Sequence, residues 1–138
     1  KGVRGMRLPD AHKVISMVIP EEDGFLLTVC ENGFGKRTVV TEFPTKGRGG
    51  KGMIAIQASD RNGPLVGATQ LFSGDEIMLI SDQGTMVRTR GDEVSVVGRN
   101  TQGVRIIRLK ENENLVSIAR IAESQEDVDS ESVETAAE

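Results

Sequence analysis

Short apolar runs separated by polar turn residues fill most of the chain up to residue 122. In the middle of the sequence the runs predict four strands, near residues 53–58, 65–72, 75–81 and 85–90. Residues 73–75 read Ser-Gly-Asp and residues 82–84 read Asp-Gln-Gly, and both compositions are typical of turns. No long amphipathic helical pattern precedes the C-terminal tail. The sequence therefore predicts an all-β fold.

The pattern recurs with a period of 51 residues, which divides the chain into units near residues 1–46, 47–97 and 98–122. The aligned pairs include Gly33 with Gly84, Arg37 with Arg88, Thr38 with Thr89, Glu42 with Glu93, Gly47 with Gly98, Arg48 with Arg99 and Gly52 with Gly103. A unit of four short strands in roughly 50 residues is typical of a propeller blade. We therefore predict a propeller-like repeat of four-stranded blades, with about two and a half blades in this chain.

A turn rich in glycines and cations opens the second unit. It consists of Lys46, Gly47, Arg48, Gly49, Gly50, Lys51 and Gly52, and a degraded copy occupies residues 98–103. Glycines let a backbone come close to another molecule, and Lys and Arg attract a phosphate chain. The G-x-G-x-x-G pattern of dinucleotide sites also fits, but it must open a helix, and residues 53–56 predict a strand. A DNA-facing turn is favoured, with a Gly-rich turn carrying incidental cations as the alternative.

Further cations lie on the second strand of each predicted hairpin. In the first unit Lys36 and Arg37 follow an Asn-Gly turn at residues 32–33, which is a strong hairpin signal. This hairpin predicts that its second strand exposes Lys36 together with one or both of its neighbours. In the second unit Arg88 and Arg90 are two residues apart, which places them on one face of their strand.

The recurrence of Arg37 at Arg88 has two interpretations. The two arginines could place positive charge at regular intervals along an outward rim. Alternatively, they form structural ion pairs with Glu42 and Glu93, which recur with the same period. The sequence leaves both interpretations open.

Charge is distributed unevenly along the chain. Residues 1–110 carry 16 Lys and Arg against 12 Asp and Glu, whereas residues 111–138 carry one Arg against nine acids. Residues 123–138 are rich in Ser, Glu and Asp and have too few apolar side chains to offset the entropy of ordering, so we predict a disordered acidic tail. We also expect that this tail competes with DNA for the basic body of the chain.

No catalytic or metal-binding arrangement is visible in the sequence. Tyr and Trp are absent, His12 is the single histidine, and it lies in a predicted polar loop. Cys30 is the single cysteine and ends an apolar strand, so it is expected to be a buried small hydrophobe. One cysteine cannot form an internal disulfide, and no apolar run approaches the length of a membrane span, so a cytoplasmic location is expected.

Residues 32–38, 46–52 and 98–104 together resemble the C-terminal domain of the A subunit of bacterial DNA gyrase. The resemblance extends from residue 1 to about residue 121. The characteristic box of that family is Gln-Arg-Arg-Gly-Gly-Lys-Gly, and this chain has Lys46 and Gly47 in place of the Gln and the first Arg. The resemblance therefore implies that residues 46–52 are a late, degenerate copy of the box.

The resemblance implies a fold and a set of partners. The family folds as a six-bladed β-pinwheel, a propeller relative in which strands cross between blades, and it wraps double-stranded DNA around a basic rim. Gyrase uses this wrapping for ATP-dependent negative supercoiling. The strand-passage tyrosine lies in another domain, and in the holoenzyme ATP and Mg act through the other subunit and domains. The implied partners are DNA, the B subunit, and the rest of the A subunit, in the cytoplasm and at the nucleoid, with no catalytic residue, metal or cofactor in this chain.

Eight cations are the candidate DNA contacts: Arg37, Arg48, Lys51, Arg88, Arg90 and Arg99, followed by Lys36 and Arg105. Two alternatives stay open, the related C-terminal domain of topoisomerase IV and a propeller-type protein-interaction scaffold that does not bind DNA. An incomplete ring of blades also leaves strand edges unpaired, so we expect the chain to self-associate through them.

Overall fold

The computed structural model of the chain describes residues 2, 5–8, 10, 14–18, 21, 23–43, 49, 53–57 and 59–122. Within these residues there are seven β-strands, two 3₁₀ turns and no α-helix. The strands are β1 (Phe25–Cys30), β2 (Phe34–Val39), β3 (Leu65–Leu71), β4 (Glu76–Ser81), β5 (Met86–Arg90), β6 (Val104–Arg105) and β7 (Leu115–Ile121). The predicted all-β class is confirmed, and the predicted acidic tail lies outside the described residues.

The strands form two antiparallel sheets. Sheet 1 has the order β3-β1-β2-β6, and sheet 2 has the order β5-β4-β7. Strands β3 and β7 lie at one edge of their sheets and contact each other. We call this side of the two sheets the inner edge, and the opposite side, formed by β6 in sheet 1 and β5 in sheet 2, the outer edge.

The 51-residue period predicted from the sequence is present in the backbone. Strands β1 and β4 coincide under this shift, as do the two 3₁₀ turns, Val40–Glu42 and Gly91–Glu93. Even the register irregularity recurs, between Val29 and Cys30 in sheet 1 and between Ile80 and Ser81 in sheet 2. The hairpin turns both place a glycine in the left-handed region, as residues 33 and 84 have φ of +89° and +82°.

Each sheet is assembled from more than one sequence unit. The β1–β2 hairpin comes from the first unit, but β3 on its inner side and β6 on its outer side come from residues 65–71 and 104–105. Sheet 2 likewise combines the β4–β5 hairpin with β7, which follows at residues 115–121. A hairpin alone cannot bury both of its edges, so each unit depends on its successor for a complete sheet.

One predicted strand is not found. Residues 53–57 form no strand, and residue 58 lies outside the described part of the chain. The equivalent residues of the next unit form β6 because they pair with Phe34 and Gly35 of β2. Residues 53–57 have no such partner strand among the described residues.

The core lies between the two sheets. It consists of Leu27, Val29, Leu71, Ile77, Leu79, Val94 and Leu115, all 2% exposed or less. Strand β4 alternates between half-buried and buried residues, as expected for a strand with one face towards a core. Burying each of these side chains contributes about 1.5–3 kcal/mol, so the contact between the sheets is a main source of stability.

A carboxylate fixes the turn between β4 and β5. The two carboxylate oxygens of Glu113 accept hydrogen bonds from Ser81 Oγ (2.7 Å), Thr85 Oγ1 (2.7 Å) and the backbone N–H of Lys110 (3.0 Å). The Ser81 bond, followed by the Thr85 and Lys110 bonds, lowers the pKa of Glu113 from 4.5 to about 2. The loop that leads into β7 is thereby tied to the β4–β5 turn.

Replacing Glu113 by Gln should lower the free energy of unfolding at neutral pH, and the difference from the unchanged chain should shrink in acid. Because the pKa of Glu113 is lower in the folded state, its stabilisation is complete above about pH 4.5 and is lost as the pH falls towards about 2. Urea unfolding across this pH range measures the effect. Glu111→Gln, at an exposed neighbour, is the matched control. A Glu113→Gln deficit that does not change with pH would contradict the assignment.

Candidate nucleic-acid interface

Lys36 is a fully buried lysine on β2, the strand of sheet 1 that pairs with β6 at the outer edge. Its ammonium donates to the carbonyl oxygens of Gly98 (2.7 Å), Arg99 (2.6 Å) and Thr101 (3.0 Å) and to Thr101 Oγ1 (3.0 Å). The prediction that Lys36 is exposed is wrong, because the turn that opens the third unit lies over it. Burial lowers the pKa of Lys36 to about 8.

The covering turn, residues 98–103, is called the box loop here because it is the degraded copy of the residue 46–52 turn. Gln57, Arg61 and Asn62 also bind carbonyls of the loop, and Thr101 O accepts from both Lys36 and Gln57. The bonds are Gln57 N to Thr101 O (2.7 Å), Asn62 Nδ2 to Gln102 O (2.7 Å) and Arg61 Nη2 to Gly103 O (3.0 Å). On the other side of the loop, a carboxylate oxygen of Glu42 accepts the N–H of Arg99 at 2.7 Å. The box loop is thus held by donors and an acceptor from two earlier segments of the chain.

Two glycines allow the end of the box loop to reach β2. A Cβ atom on Gly103 would lie 2.6 Å from the carbonyl oxygen of Gly35, and residue 103 has φ of +76°. A Cβ atom on Gly35 would in turn lie 2.5 Å from the carbonyl oxygen of Thr28. Neither position accepts a larger residue without a backbone shift, so both glycines are needed for β6 to pair with β2.

Arg37 is also buried, at 9% exposure. Its guanidinium donates to the carbonyl oxygens of Val94 (2.7 Å) and Asp92 (3.1 Å), and the Asp92 carboxylate lies 3.6 Å away. The ring of Phe25 lies 4.7 Å from the guanidinium carbon, within range of a cation–π contact. These contacts connect the first unit to the 3₁₀ turn of the second and give Arg37 a structural role.

Arg88, the repeat-equivalent of Arg37, is exposed on β5 and pairs with Glu76 on β4. The alternative in which the two arginines pair with Glu42 and Glu93 is therefore wrong in its partners, although both arginines do form ion pairs. Glu42 instead binds the backbone N–H of Arg99. The two equivalent arginines differ because residues 92–97 cover Arg37, whereas no described segment covers Arg88.

The exposed cations of the described residues include several at the outer edge of the two sheets. Arg88 and Arg90 lie on β5, where their register opposite Met78 and Glu76 confirms that they share one strand face. In sheet 1, Arg105 lies on β6 and is exposed. Arg99 is half-buried in the box loop, and its guanidinium donates to the carbonyl oxygen of Ile54 at 2.7 Å.

Arg61 belongs to the same region, although the sequence did not single it out. The exposed guanidinium groups of Arg61 and Arg105 lie over the ring of Phe34, with 4.3 and 5.2 Å from each guanidinium carbon to the ring centroid. The 51-residue repeat does not point to Arg61, because a cation does not recur there: the equivalent positions carry Asp10 and Asn112. Stacking on an aromatic ring orients both cations before any ligand arrives.

Most of the residue 46–52 turn lies outside the described residues, including Arg48 and Lys51. Gly49 is described, has φ of +82° and donates its N–H to the carbonyl oxygen of Gly5 at 2.9 Å. The roles predicted for Arg48 and Lys51 remain predictions.

The described residues offer little for catalysis. Among them, no group of three or more His, Cys, Asp or Glu side chains could hold a metal ion. Cys30 is buried, and burial raises the pKa of its thiol, which disfavours the nucleophilic thiolate. Across the same residues there is no helix that is long and apolar enough to cross a membrane.

Comparison with known proteins identifies the family. A sequence profile described as "DNA gyrase C-terminal domain, beta-propeller" matches residues 1–21, 24–70 and 75–122. The chain belongs to this family. It is 51% identical over 136 residues to the A subunit of DNA gyrase from Escherichia coli (strain K12), an alignment that covers 99% of this chain and 16% of that protein. The chain therefore spans about a sixth of the length of this gyrase protein.

Two solved structures share the fold. The structure of a DNA gyrase A C-terminal domain aligns with a TM-score of 0.69 at 31% identity, over 74% of this chain and 35% of that one. The crystal structure of the C-terminal domain of DNA topoisomerase IV aligns with a TM-score of 0.78 at 20% identity, over 86% of this chain and 37% of that one. Identity of 20% shows only a shared fold, so the topoisomerase IV alternative is retained as a related fold and not as the family.

Replacing Arg37 by Ala should lower the free energy of unfolding by about 3 kcal/mol, because the buried carbonyl of Val94 loses its donor and the contact with Phe25 is lost. Arg88→Ala is the matched control at the equivalent position, and its exposed ion pair should contribute less than about 1 kcal/mol. Urea unfolding of both variants measures the difference. Equal losses would contradict the structural role of Arg37.

Proposed function

We propose that this chain is part of the DNA-wrapping domain of DNA gyrase, and that it binds and bends duplex DNA without sequence preference. The observation that supports this most is the location of the exposed arginines. Arg61 and Arg105 lie at the outer edge of sheet 1, and Arg88 and Arg90 lie at the outer edge of sheet 2. The apolar contact between β3 and β7 is on the inner side, so the cationic edge is free for a large partner.

The proposed mechanism is electrostatic. Arginines that neutralise phosphates release condensed counterions, and each contact adds about 0.9 to the slope of log affinity against log salt. Bending a site of about 20–30 base pairs costs on the order of 1–6 kcal/mol. Several distributed contacts are therefore needed to offset the bending, and the exposed arginines of the two sheets provide them.

The structure changes which of the predicted residues we propose as DNA contacts. Arg88, Arg90, Arg99 and Arg105 are retained, and Arg61 is added. Lys36 and Arg37 are not proposed as contacts, because their charged groups are buried and bound to carbonyl oxygens. Arg48 and Lys51 stay predictions, as does competition between the acidic tail and DNA.

The wider context is also proposed from family membership. The B subunit of gyrase, together with the rest of the A subunit, would be the partners of this chain, in a cytoplasmic type II topoisomerase that acts at the nucleoid. Supercoiling would use ATP and Mg bound by the other subunit and domains of the holoenzyme. The contribution of this chain would be to bind and bend DNA, and no step of bond breaking is assigned to its residues.

Binding of the chain to a 30-base-pair duplex should weaken with salt, with a slope of log affinity near −4.5 if about five arginines contact phosphates. In Arg88→Ala/Arg90→Ala the slope should become shallower by about 1.8, since two contacts are removed. Fluorescence anisotropy across a salt series measures both quantities. End-to-end energy transfer on the same duplex reports bending.

A matched control separates location from total charge. Ser117→Glu/Ala119→Glu changes the net charge by the same amount, but at exposed positions of β7 on the inner edge. This control should leave the salt slope unchanged. Equal effects of the two double variants would contradict an outer-edge contact surface. Absence of salt-dependent binding would favour the alternative of an interaction scaffold that does not bind DNA.

The outer edge of β5 should also cause self-association of the isolated chain. In sheet 1, Arg37 N donates to Ser95 O at 2.9 Å, but its equivalent on β5, Arg88, has no such acceptor among the described residues. Sedimentation velocity should therefore show oligomers that increase with concentration. Met86→Pro, at a 62% exposed edge position with the same outward N–H orientation, should reduce them. A chain that stays monomeric at high concentration would contradict this prediction.

A further inference from the structure

One fully buried side chain of the first unit, Lys36, binds three residues of the box loop. The Lys36 ammonium has three N–H donors and lies 2.6–3.0 Å from four oxygens of the loop, on Gly98, Arg99 and Thr101. All of its donors are used within the loop. No other described side chain binds carbonyls at both ends of the segment 98–101.

Lys36 is not needed to form the hairpin that carries it. The equivalent position in the second unit is Val87, which is half-buried in a β4–β5 hairpin of the same register. Burying a lysine without partners would cost several kcal/mol, whereas an apolar residue at this position costs nothing. The difference between the two hairpins is that the box loop lies over β2, so the charge of Lys36 serves the loop.

The bonds to the box loop leave part of its backbone available to a ligand. Lys36 and residues 57–62 bind its carbonyl oxygens, and Glu42 accepts the N–H of Arg99. The N–H groups of the next three residues, Asn100, Thr101 and Gln102, have no acceptor among the described residues, and all three residues are exposed. Consecutive free N–H groups beside an arginine are donors of the kind that bind a phosphate.

We propose that Lys36 is a positioning residue for DNA binding: without touching DNA, it holds the box loop so that Arg99 and the N–H groups of residues 100–102 can bind one backbone phosphate. This inference rests on the proposed function, because it assumes that the outer edge contacts DNA. The sequence suggests that Lys36 is an exposed cation that contacts DNA. In this proposal Lys36 is instead buried beneath the box loop, and its role is to hold the loop in place.

Lys36→Met, which keeps the chain length and removes the donors, should weaken binding of a 30-base-pair duplex about tenfold and reduce the salt slope by about 0.9. Lys110→Met is the matched control, since it removes an exposed lysine by the same substitution at residue 110. It should change affinity by less than about threefold.

A double variant tests whether Lys36 acts through the loop. If it does, Arg99→Ala in the Lys36→Met background should weaken binding by less than about twofold more, whereas independent effects would multiply. A second readout is the backbone amide spectrum of residues 100–102 in the presence of inorganic phosphate. These amide signals should shift in the unchanged chain and in Lys110→Met, and should not shift in Lys36→Met.

A measurement on the unchanged chain covers the case in which Lys36→Met does not fold. The charges that act on Lys36 are Glu42 on the 3₁₀ turn, Arg99 in the box loop and Cys30 on β1, and the pKa of Lys36 is lowered to about 8 mainly by burial. Deprotonation leaves two donors for four acceptors, so affinity for the duplex should fall between about pH 7 and about pH 9. This fall should be smaller in Arg99→Ala.

The outcomes distinguish the positioning role from the proposed function. If the unchanged chain shows no salt-dependent binding of the duplex, the proposed function is overturned. If the unchanged chain binds but folded Lys36→Met binds equally well with the same salt slope and the same amide shifts, the positioning role is overturned while the proposed function stands. A pH-independent affinity in the unchanged chain would also overturn the positioning role.

Discussion

The pairing of each hairpin with strands from later in the chain is the constraint on which the rest of the structure depends. The β1–β2 hairpin has two edges, and residues 65–71 and 104–105 cover them. This exchange brings the start of the third unit against the second strand of the first. The buried bonds of Lys36 and Arg37, the close approach of Gly35 and Gly103, and the position of Arg105 all follow from that contact.

The same exchange explains why equivalent residues have different roles. Arg37 and Arg88 occupy one position of the repeat, but residues 92–97 cover the first and no described segment covers the second. A guanidinium that is covered binds carbonyl oxygens and stabilises the fold. One that is exposed retains most of its donors for phosphate. In a repeat protein, the role of a cation therefore depends on which other segments cover it, and not on its side chain alone.

The candidate interface combines rigid and adaptable parts. Arg61 and Arg105 are oriented by the ring of Phe34, and the box loop is held by hydrogen bonds from both neighbouring segments. Arg88 and Arg90 are exposed on an edge strand and can follow the position of a phosphate. Non-specific DNA binding is suited to this combination, because the phosphate backbone is regular while its curvature must adapt to the protein.

The all-β class, the 51-residue period, the hairpin turns and the family are all visible in the amino-acid sequence, because they depend on local side-chain alternation, on glycine and on recurrent residue types. It also placed Arg88 and Arg90 on one face, since a strand has a period of two. Which cations are exposed depends on contacts between distant parts of the fold. Lys36 and Arg37 are buried by residues more than 50 positions away, Arg61 lies at the interface at a loop position where no cation recurs in the repeat, and residues 53–57 have no strand partner among the described residues. These features all result from pairing between segments that are far apart in the chain, which no local sequence pattern predicts.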